Sequence, residues 1–314
     1  MVKNINIIAR SNGVGLDSDA LLLDKVLTKA GHNVTFSHCR SRNIFQKLFS
    51  KKSKYDINIY LERVFPNWFN SAPINVLIPN QERFPKRHIS RLKGIHSVFC
   101  KSKHAQEIFN KLGANTHLIS FTSKDIKLES TPTNYNQFFH LAGSSTLKGT
   151  HTILNLWESH PEWPNLTILQ HRHNAPDSVP DNVTLITDHL SEPELYQLAN
   201  TKGIHLCTSL SEGWGHYIVE AMSSHALVIT TDAPPMNELI NSQRGVLVPV
   251  KNSEPRHLGT NFFIDSQQLE LTIETVIKMQ TEDIMTIVNK AREWYEKNDN
   301  AFEKSIINAV EDLF

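Results

Sequence analysis

The sequence predicts an α/β protein of two doubly wound domains facing each other across a cleft, with a C-terminal helix closing back on the first. Three observations predict it. The chain has 314 residues, roughly twice the usual size of one domain. Short apolar runs alternate with stretches of helical periodicity, the pattern of βα units that build a parallel sheet. Near residue 130 that pattern lapses into polar residues and then starts again. The expected boundaries are 1–133 for the first domain, 134–288 for the second and 289–314 for the closing helix.

In the first domain the strand candidates are residues 5–9, 34–36, 57–61, 74–78 and 98–100, each apolar and short. Residues 20–30 read as the first helix, and Gly31 as its C-terminal cap, since glycine tolerates the left-handed conformation that ends helices. The polar stretch 129–136, with one proline, is the expected linker. Strands are then expected at 138–142, 166–169, 183–186, 204–207, 227–230 and 246–250, with helices at 150–157, 192–199 and 217–224. Beyond Gln267 the chain reads as wholly helical. Phe302, Ile306, Val310 and Leu313 form one apolar stripe that needs a surface to bury against. Ligands of doubly wound sheets bind beyond the carboxyl ends of the strands, so the cleft is the expected site.

Hydrophobic content of 39% with 20% charged residues excludes a disordered or fibrous chain. No window approaches the roughly 18 apolar residues of a membrane span, and the opening residues are too short and too alternating for a signal-peptide core. Cys39, Cys100 and Cys207 are odd in number, far apart and set in apolar stretches. They fit buried thiols better than disulfides or a cysteine metal site, so the expected compartment is the cytoplasm. The 32 basic and 32 acidic residues balance overall, yet residues 1–130 hold 21 of the former and 9 of the latter. Either the two halves complement each other, or the first half meets an anion. Its clusters are Lys47, Lys51, Lys52 and Lys54, then Arg83, Lys86, Arg87, Arg91 and Lys93, interleaved with Phe45, Phe49, Phe65, Trp68, Phe69 and Phe84. A phosphate-rich acceptor or peripheral contact with an anionic membrane would suit that half.

The most informative stretch is residues 211–222, Ser-Glu-Gly-Trp-Gly-His-Tyr-Ile-Val-Glu-Ala-Met, directly after a strand. Two glycines let backbone approach a ligand, and the helix that follows aims its free N–H groups at the same place, favouring a phosphate or a sugar oxygen. Glu212 in the loop and Glu220 in the second helical turn sit at different depths along one pocket, and a carboxylate accepts two hydrogen bonds from a vicinal diol. The plainer alternative makes Glu212 a capping charge and Glu220 a solvated helix residue. Sixteen histidines are many, but only His171 and His173 come close together, and no metal is assigned.

Residues 212–220 resemble the paired-glutamate signature of retaining nucleotide-sugar glycosyltransferases of family 4, which have the GT-B fold of two Rossmann-like domains. Residues 221–239 and 245–249 are similar to the family's following helix, strand, proline turn and strand, so the resemblance spans most of 137–314. It is weaker in residues 1–130. The resemblance implies that Glu220 holds the donor ribose, while Glu212 with Gly213, Trp214, Gly215 and His216 contacts the transferred sugar and the diphosphate. Lys148 looks like the family's lysine that neutralises the departing diphosphate; the alternative, an exposed residue at a helix start, would set a cation against the helix dipole. His189 and Leu190 fall where the family meets the nucleobase. Residues 9–16, with Gly13 and Gly15, resemble its glycine-rich loop near diphosphate and acceptor, or form a tight turn.

One departure stands out. The family usually places an arginine soon after the glycine matching Gly143, where this chain has Ser144 and Ser145 in a loop one residue shorter. Either Arg172 supplies the second charge or the serine hydroxyls and helix amides replace it. Asp17-Ser18-Asp19 mimics the metal motif of the other glycosyltransferase fold, but its place at a helix start favours capping. Residues 143–150 fail the P-loop pattern because lysine precedes glycine, and residues 9–16 lack the third glycine of a dinucleotide fingerprint. Glu82 either positions an acceptor hydroxyl or is a surface loop carboxylate paired with Arg83.

The resemblance implies a retaining, metal-independent glycosyltransferase that uses a nucleoside-diphosphate sugar as substrate and no cofactor. The acceptor classes that fit a basic first domain are lipid-linked sugars, anionic glycopolymers and modified nucleic acid. The competing readings are a sugar-nucleotide epimerase or phosphorylase on the same fold, and a catalytically silent nucleotide-sugar binding protein.

Overall fold

The apolar runs of the sequence become strands because a parallel strand covered on both faces has no polar side to alternate with. The computed structural model describes residues 1–10, 15–42 and 53–314; Gly13, Lys47, Lys51 and Lys52 lie outside them. The chain divides into two units. Unit 1 comprises Met1–Ser123, Pro255–Gly259 and Asn298–Phe314, and unit 2 comprises Lys124–Glu254 and Thr260–Lys297.

In unit 1, β1 (Asn4–Ala9), β2 (Asn33–His38), β3 (Ile57–Glu62), β4 (Ile74–Pro79), β5 (Ser97–Cys100) and β6 (Thr116–Leu118) form one parallel sheet in the order β2-β1-β3-β4-β5-β6. The short strand β6 carries too little apolar sequence to be visible beforehand. Helices α1 (Gly15–Lys29) and α2 (Lys103–Lys111) flank the sheet. Asn6, Asn58 and Asn75 interrupt three buried strands at matched register positions. They satisfy one another: Asn6 Nδ2 donates to Asn58 Oδ1 at 3.3 Å, and Asn58 Nδ2 and the Tyr60 hydroxyl both donate to Asn75 Oδ1, at 2.9 and 2.8 Å. Such a network is tolerable in a core only when its members find partners.

In unit 2, β7 (Asn134–Gly143), β8 (Leu166–Gln170), β9 (Val183–Ile186), β10 (Lys202–Cys207), β11 (Leu227–Thr231) and β12 (Val246–Val248) form a second parallel sheet in the order β12-β11-β10-β7-β8-β9. Helices α3 (Thr150–Ser159), α4 (Glu192–Thr201), α5 (His216–Ser223) and α6 (Met236–Leu239) lie between its strands. Trp157 anchors the core under α3, with its ring 5.2 Å from Phe138 and 5.0 Å from Trp163 and its indole N–H donating to Pro164 O at 3.0 Å.

Residues 251–264 depart from the sequence reading. They pair as β13 (Val250–Arg256) and β14 (Gly259–Ile264), a two-stranded sheet. A run containing Lys, Asn, Ser, Glu and Pro carries little strand signal of its own. Helices α7 (Ser266–Ile277) and α8 (Thr281–Glu311) follow. Phe302, Ile306 and Val310 are buried on α8, where the Phe302 ring meets Phe121 at 5.0 Å within unit 1. Among the described residues no helix is long and apolar enough to cross a membrane. All three cysteines are free and buried.

Two predictions follow from the core of unit 2. Trp157→Ala should destabilise it by about 3–5 kcal/mol, the cost of deleting a packed aromatic, read as a lower urea midpoint. His140 and His205 are buried, and burial pushes both imidazoles down to about 4 from an ordinary 6.5. Between those values the unfolded chain binds protons that the native state refuses, so stability falls as the pH is lowered. The urea midpoint should therefore decline from pH 6.5 towards pH 4, with a shallower decline in His205→Gln.

Candidate functional site

In the second sheet β7 and β10 are neighbours, and the chain winds away from them in opposite directions. The loops following two such strands diverge and leave a crevice between them. Here these loops are residues 143–149 before α3 and residues 208–215 before α5. Two bonds tie them together: Thr208 Oγ1 donates to Lys148 O, and Leu210 N donates to Leu147 O, each at 2.8 Å. Beneath them His140 bridges β10 and α3, its Nδ1 at 2.7 Å from Leu206 O and its Nε2 at 2.9 Å from Thr150 Oγ1. A carbonyl only accepts, so Nδ1 carries the proton and the threonine hydroxyl donates to Nε2. Both loops end on a glycine in left-handed backbone, Gly149 at φ 76° and Gly215 at φ 110°. A Cβ at Gly149 would sit 2.6 Å from Thr208 O, so the close approach of the two loops requires glycine there.

Lys148 and Glu212, 64 residues apart in sequence, meet in this crevice. Lys148 Nζ donates to Glu212 Oε1 at 2.6 Å and lies 3.5 Å from the centroid of the Tyr217 ring. Glu212 also accepts from Ser209 Oγ at 2.5 Å, and Ser209 Oγ lies 2.6 Å from the Tyr217 hydroxyl. Burial raises the phenol of Tyr217 well above its ordinary value, so it keeps its proton. With the serine proton committed to Glu212, the tyrosine donates to Ser209 Oγ and its own oxygen accepts from Ser209 N at 3.2 Å. The result is a directed relay from Tyr217 through Ser209 to Glu212. It holds a carboxylate against an ammonium, with both side chains still about one-sixth exposed, at 16% and 17%.

Glu220 stands on the second turn of α5, partly exposed. Burial raises its carboxyl above the ordinary value, with the charges of His216, Lys148 and Lys124 pulling it back. It lines a small cavity of about 20 Å³ beside Tyr196, Cys207 and Tyr217. Gly213 and Trp214 are buried in the approach to α5, and His216 opens the helix.

The remaining candidates lie apart from this pair or play other parts. Arg172 belongs to a turn docked on the 143–149 loop, where His171 N donates to Gly143 O at 2.8 Å and Asn174 Nδ2 to Ser144 O at 2.9 Å. Its guanidinium is engaged elsewhere, donating to Asp188 at 3.1 Å with both side chains largely exposed. Ser145 Oγ accepts from Leu147 N at 3.1 Å and so shapes its own loop, while Ser144 is exposed. His189 is exposed and Leu190 half-exposed, in the segment between β9 and α4. Gly15 opens α1, and Gly13 is outside the described residues.

Two sequence readings need correction. Glu82 is no surface carboxylate: it is 5% exposed, in a 3-10 turn after β4, with Arg83 Nε at 3.8 Å. Asp19 has a role beyond the helix start. It is buried within α1 and forms an ion pair with Lys101, whose Nζ also donates to Asn80 Oδ1 at 3.0 Å. Ser209, Tyr217 and Lys101 were not singled out from sequence. Tyr217 falls inside the recognised motif, whereas nothing local marks Ser209 or Lys101.

Residues 178–278 match the family model described as glycosyl transferases group 1. By sequence alone no curated protein matches the chain. Among solved structures, HepE of Anabaena in complex with UDP and glucose is similar with a TM-score of 0.76 and 15% identity, over 99% of this chain and 100% of that one. Sucrose-phosphate synthase of Thermosynechococcus elongatus has a TM-score of 0.74 and 13% identity, over 99% of each chain. An E. coli structure described as trehalose-6-phosphate bound with UDP-2-fluoro glucose has a TM-score of 0.68 and 10% identity, over 98% of each. The chain therefore has the GT-B fold of two parallel α/β sheets, and its residues 178–278 match the group 1 glycosyl transferases.

Proposed function

We propose that the protein transfers a sugar from a nucleoside-diphosphate sugar to an acceptor hydroxyl, with retention at the anomeric carbon and without a metal ion. The observation that carries this reading is the Lys148–Glu212 pair, held at the switch point of the second sheet by Tyr217 and Ser209. As the glycosidic bond breaks, negative charge grows on the departing diphosphate, and a cation already fixed in place stabilises that charge more than it stabilises the ground state. Lys148 supplies this cation, and the positive end of the α5 dipole adds partial positive charge, which is the part a divalent cation takes elsewhere. Glu212 holds the ammonium in position. A bound diphosphate takes over part of that ion pair and leaves the carboxylate to accept hydrogen bonds from the sugar.

Glu220 accepts from the ribose hydroxyls in this reading. Burial raises its carboxyl, and a hydrogen bond to a diol strengthens where water is partly excluded. The HepE structures hold UDP and UDP-glucose, which makes uridine the first base to test. Arg172 takes no part in the donor site while it is paired with Asp188, and the helix amides replace it. The same pairing supports a second reading, a binding protein that holds the donor without turnover.

A mass-resolved product assay with UDP-sugars and sugar acceptors tests the reading. Lys148→Ala should lower kcat about 10²–10³-fold with little change in KM, as expected for a group acting on transition-state charge. Glu220→Ala should weaken donor binding about tenfold or more, the worth of a hydrogen bond to a charged group. Unchanged turnover in the first variant together with unchanged donor affinity in the second would exclude the proposed roles. Donor binding without any product would establish the silent reading, and a new nucleotide sugar formed without acceptor would establish an epimerase.

A further inference from the structure

Ser209, Leu210 and Ser211 lead the chain from β10 into Glu212, and each is held by hydrogen bonds. Some of these come from the sheet and its flanking segments. Thr231 Oγ1 donates to Ser209 O at 2.7 Å, Ser209 N donates to the Tyr217 hydroxyl at 3.2 Å, and Leu210 N donates to Leu147 O at 2.8 Å. The others come from β14. Phe262 N donates to Leu210 O at 2.7 Å, and Ser211 Oγ donates to Asn261 Oδ1 at 3.1 Å. Ser211 is 7% exposed, so removing its acceptor would leave a hydroxyl with little access to water.

Strand β14 is a firm support for this loop. From Thr260 onward it belongs to unit 2. Ile264 packs against the core of that unit, Asp265 N donates to Pro249 O at 2.9 Å, and the Asp265 carboxylate caps α7 by accepting from Gln267 N and Gln268 N at 3.0 and 3.2 Å. The strand is thus anchored at its carboxyl end, and two residues near its start grip the segment before Glu212. Asparagine is a poor strand residue, and the bond to Ser211 is what it supplies in β14.

The demand on this support rises when a ligand binds. Lys148 and Ser209 both hold the Glu212 carboxylate, and a diphosphate that takes over the ammonium weakens the first of these contacts. The position of the carboxylate then depends on Ser209 and on the backbone of the loop. A displacement of about 1 Å can cost about 10²-fold in rate, so whatever fixes that backbone matters most at this point.

We propose that Asn261 is a positioning residue: through Ser211 it fixes the loop that presents Glu212, so that the carboxylate keeps its place when the ammonium turns to the departing diphosphate. The catalytic part of this inference rests on the donor-site reading, whereas the clamp on the loop is independent of it.

Hydrogen exchange of the full chain, read by mass spectrometry on peptides spanning residues 208–216, tests the clamp without substrate. Asn261→Ala should speed exchange there about tenfold, the worth of one hydrogen bond, and leave the peptides of α7 at the parent rate. Ser211→Ala should do the same, and the double variant should exchange no faster than either single one, because both substitutions remove one bond. Asn261→Asp keeps an acceptor of the same shape and should return the parent rate. In a UDP-sugar transfer assay Asn261→Ala should lower kcat about tenfold with the donor KM within about twofold, and Asn261→Asp should restore kcat. Circular dichroism verifies the fold, and Ser211→Ala, which deletes a single hydroxyl, carries the test if Asn261→Ala is unstable. Parent exchange rates in the alanine variants, additive effects of the two substitutions, or an unchanged kcat beside faster exchange would overturn the proposal. If the parent chain forms no product, only the transferase reading fails, and the exchange rates decide the clamp.

Discussion

A single contact organises the chemistry of unit 2: the ammonium of Lys148 held against the carboxylate of Glu212 over the face of Tyr217. Each member is polar and incompletely solvated, so each depends on the others. The ring face and the carboxylate compensate the desolvated cation. Ser209 fixes the carboxylate, and the buried tyrosine hydroxyl fixes Ser209. The backbone below is equally constrained, because the left-handed turn at Gly149 brings Lys148 O onto Thr208. The geometry of the pair is thus a property of two loops docked together rather than of two side chains that happen to meet.

The two units reach the same arrangement by different chemistry. Each sheet reverses its winding beside its first strand, β1 in one unit and β7 in the other, and each reversal opens a crevice at the carboxyl ends of the strands. In unit 2 that crevice receives a balanced ion pair and a helix start. In unit 1 it is lined by Arg10, Arg40, Arg42, Arg63 and Arg91 beside Glu62. A site that stabilises charge developing during a reaction benefits from a cation whose position is already set.

Much of this was legible beforehand. Parallel strands buried on both faces leave apolar runs, so every strand of the two sheets except β6 could be seen in the sequence. The glycine-flanked motif around Glu212 announced a close backbone approach, and Lys148 stood out through its resemblance to the family's diphosphate-neutralising lysine. The hairpin at 250–264 was hidden because its strands are polar and carry a proline. The buried Asp19–Lys101 pair was hidden because an aspartate near a helix start has a simpler local explanation.

The sequence by itself determined the fold class, the strand candidates and the loops that carry polar chemistry, because periodicity and glycine placement are local properties of the chain. Tertiary structure alone decided which distant groups meet. Lys148 reaches Glu212, Arg172 is diverted to Asp188, Glu82 is covered, and five arginines from separate segments share one cavity wall. The physical reason is that hydrogen bonds, ion pairs and desolvation act over a few ångströms in space, and separation along the chain carries no information about that distance.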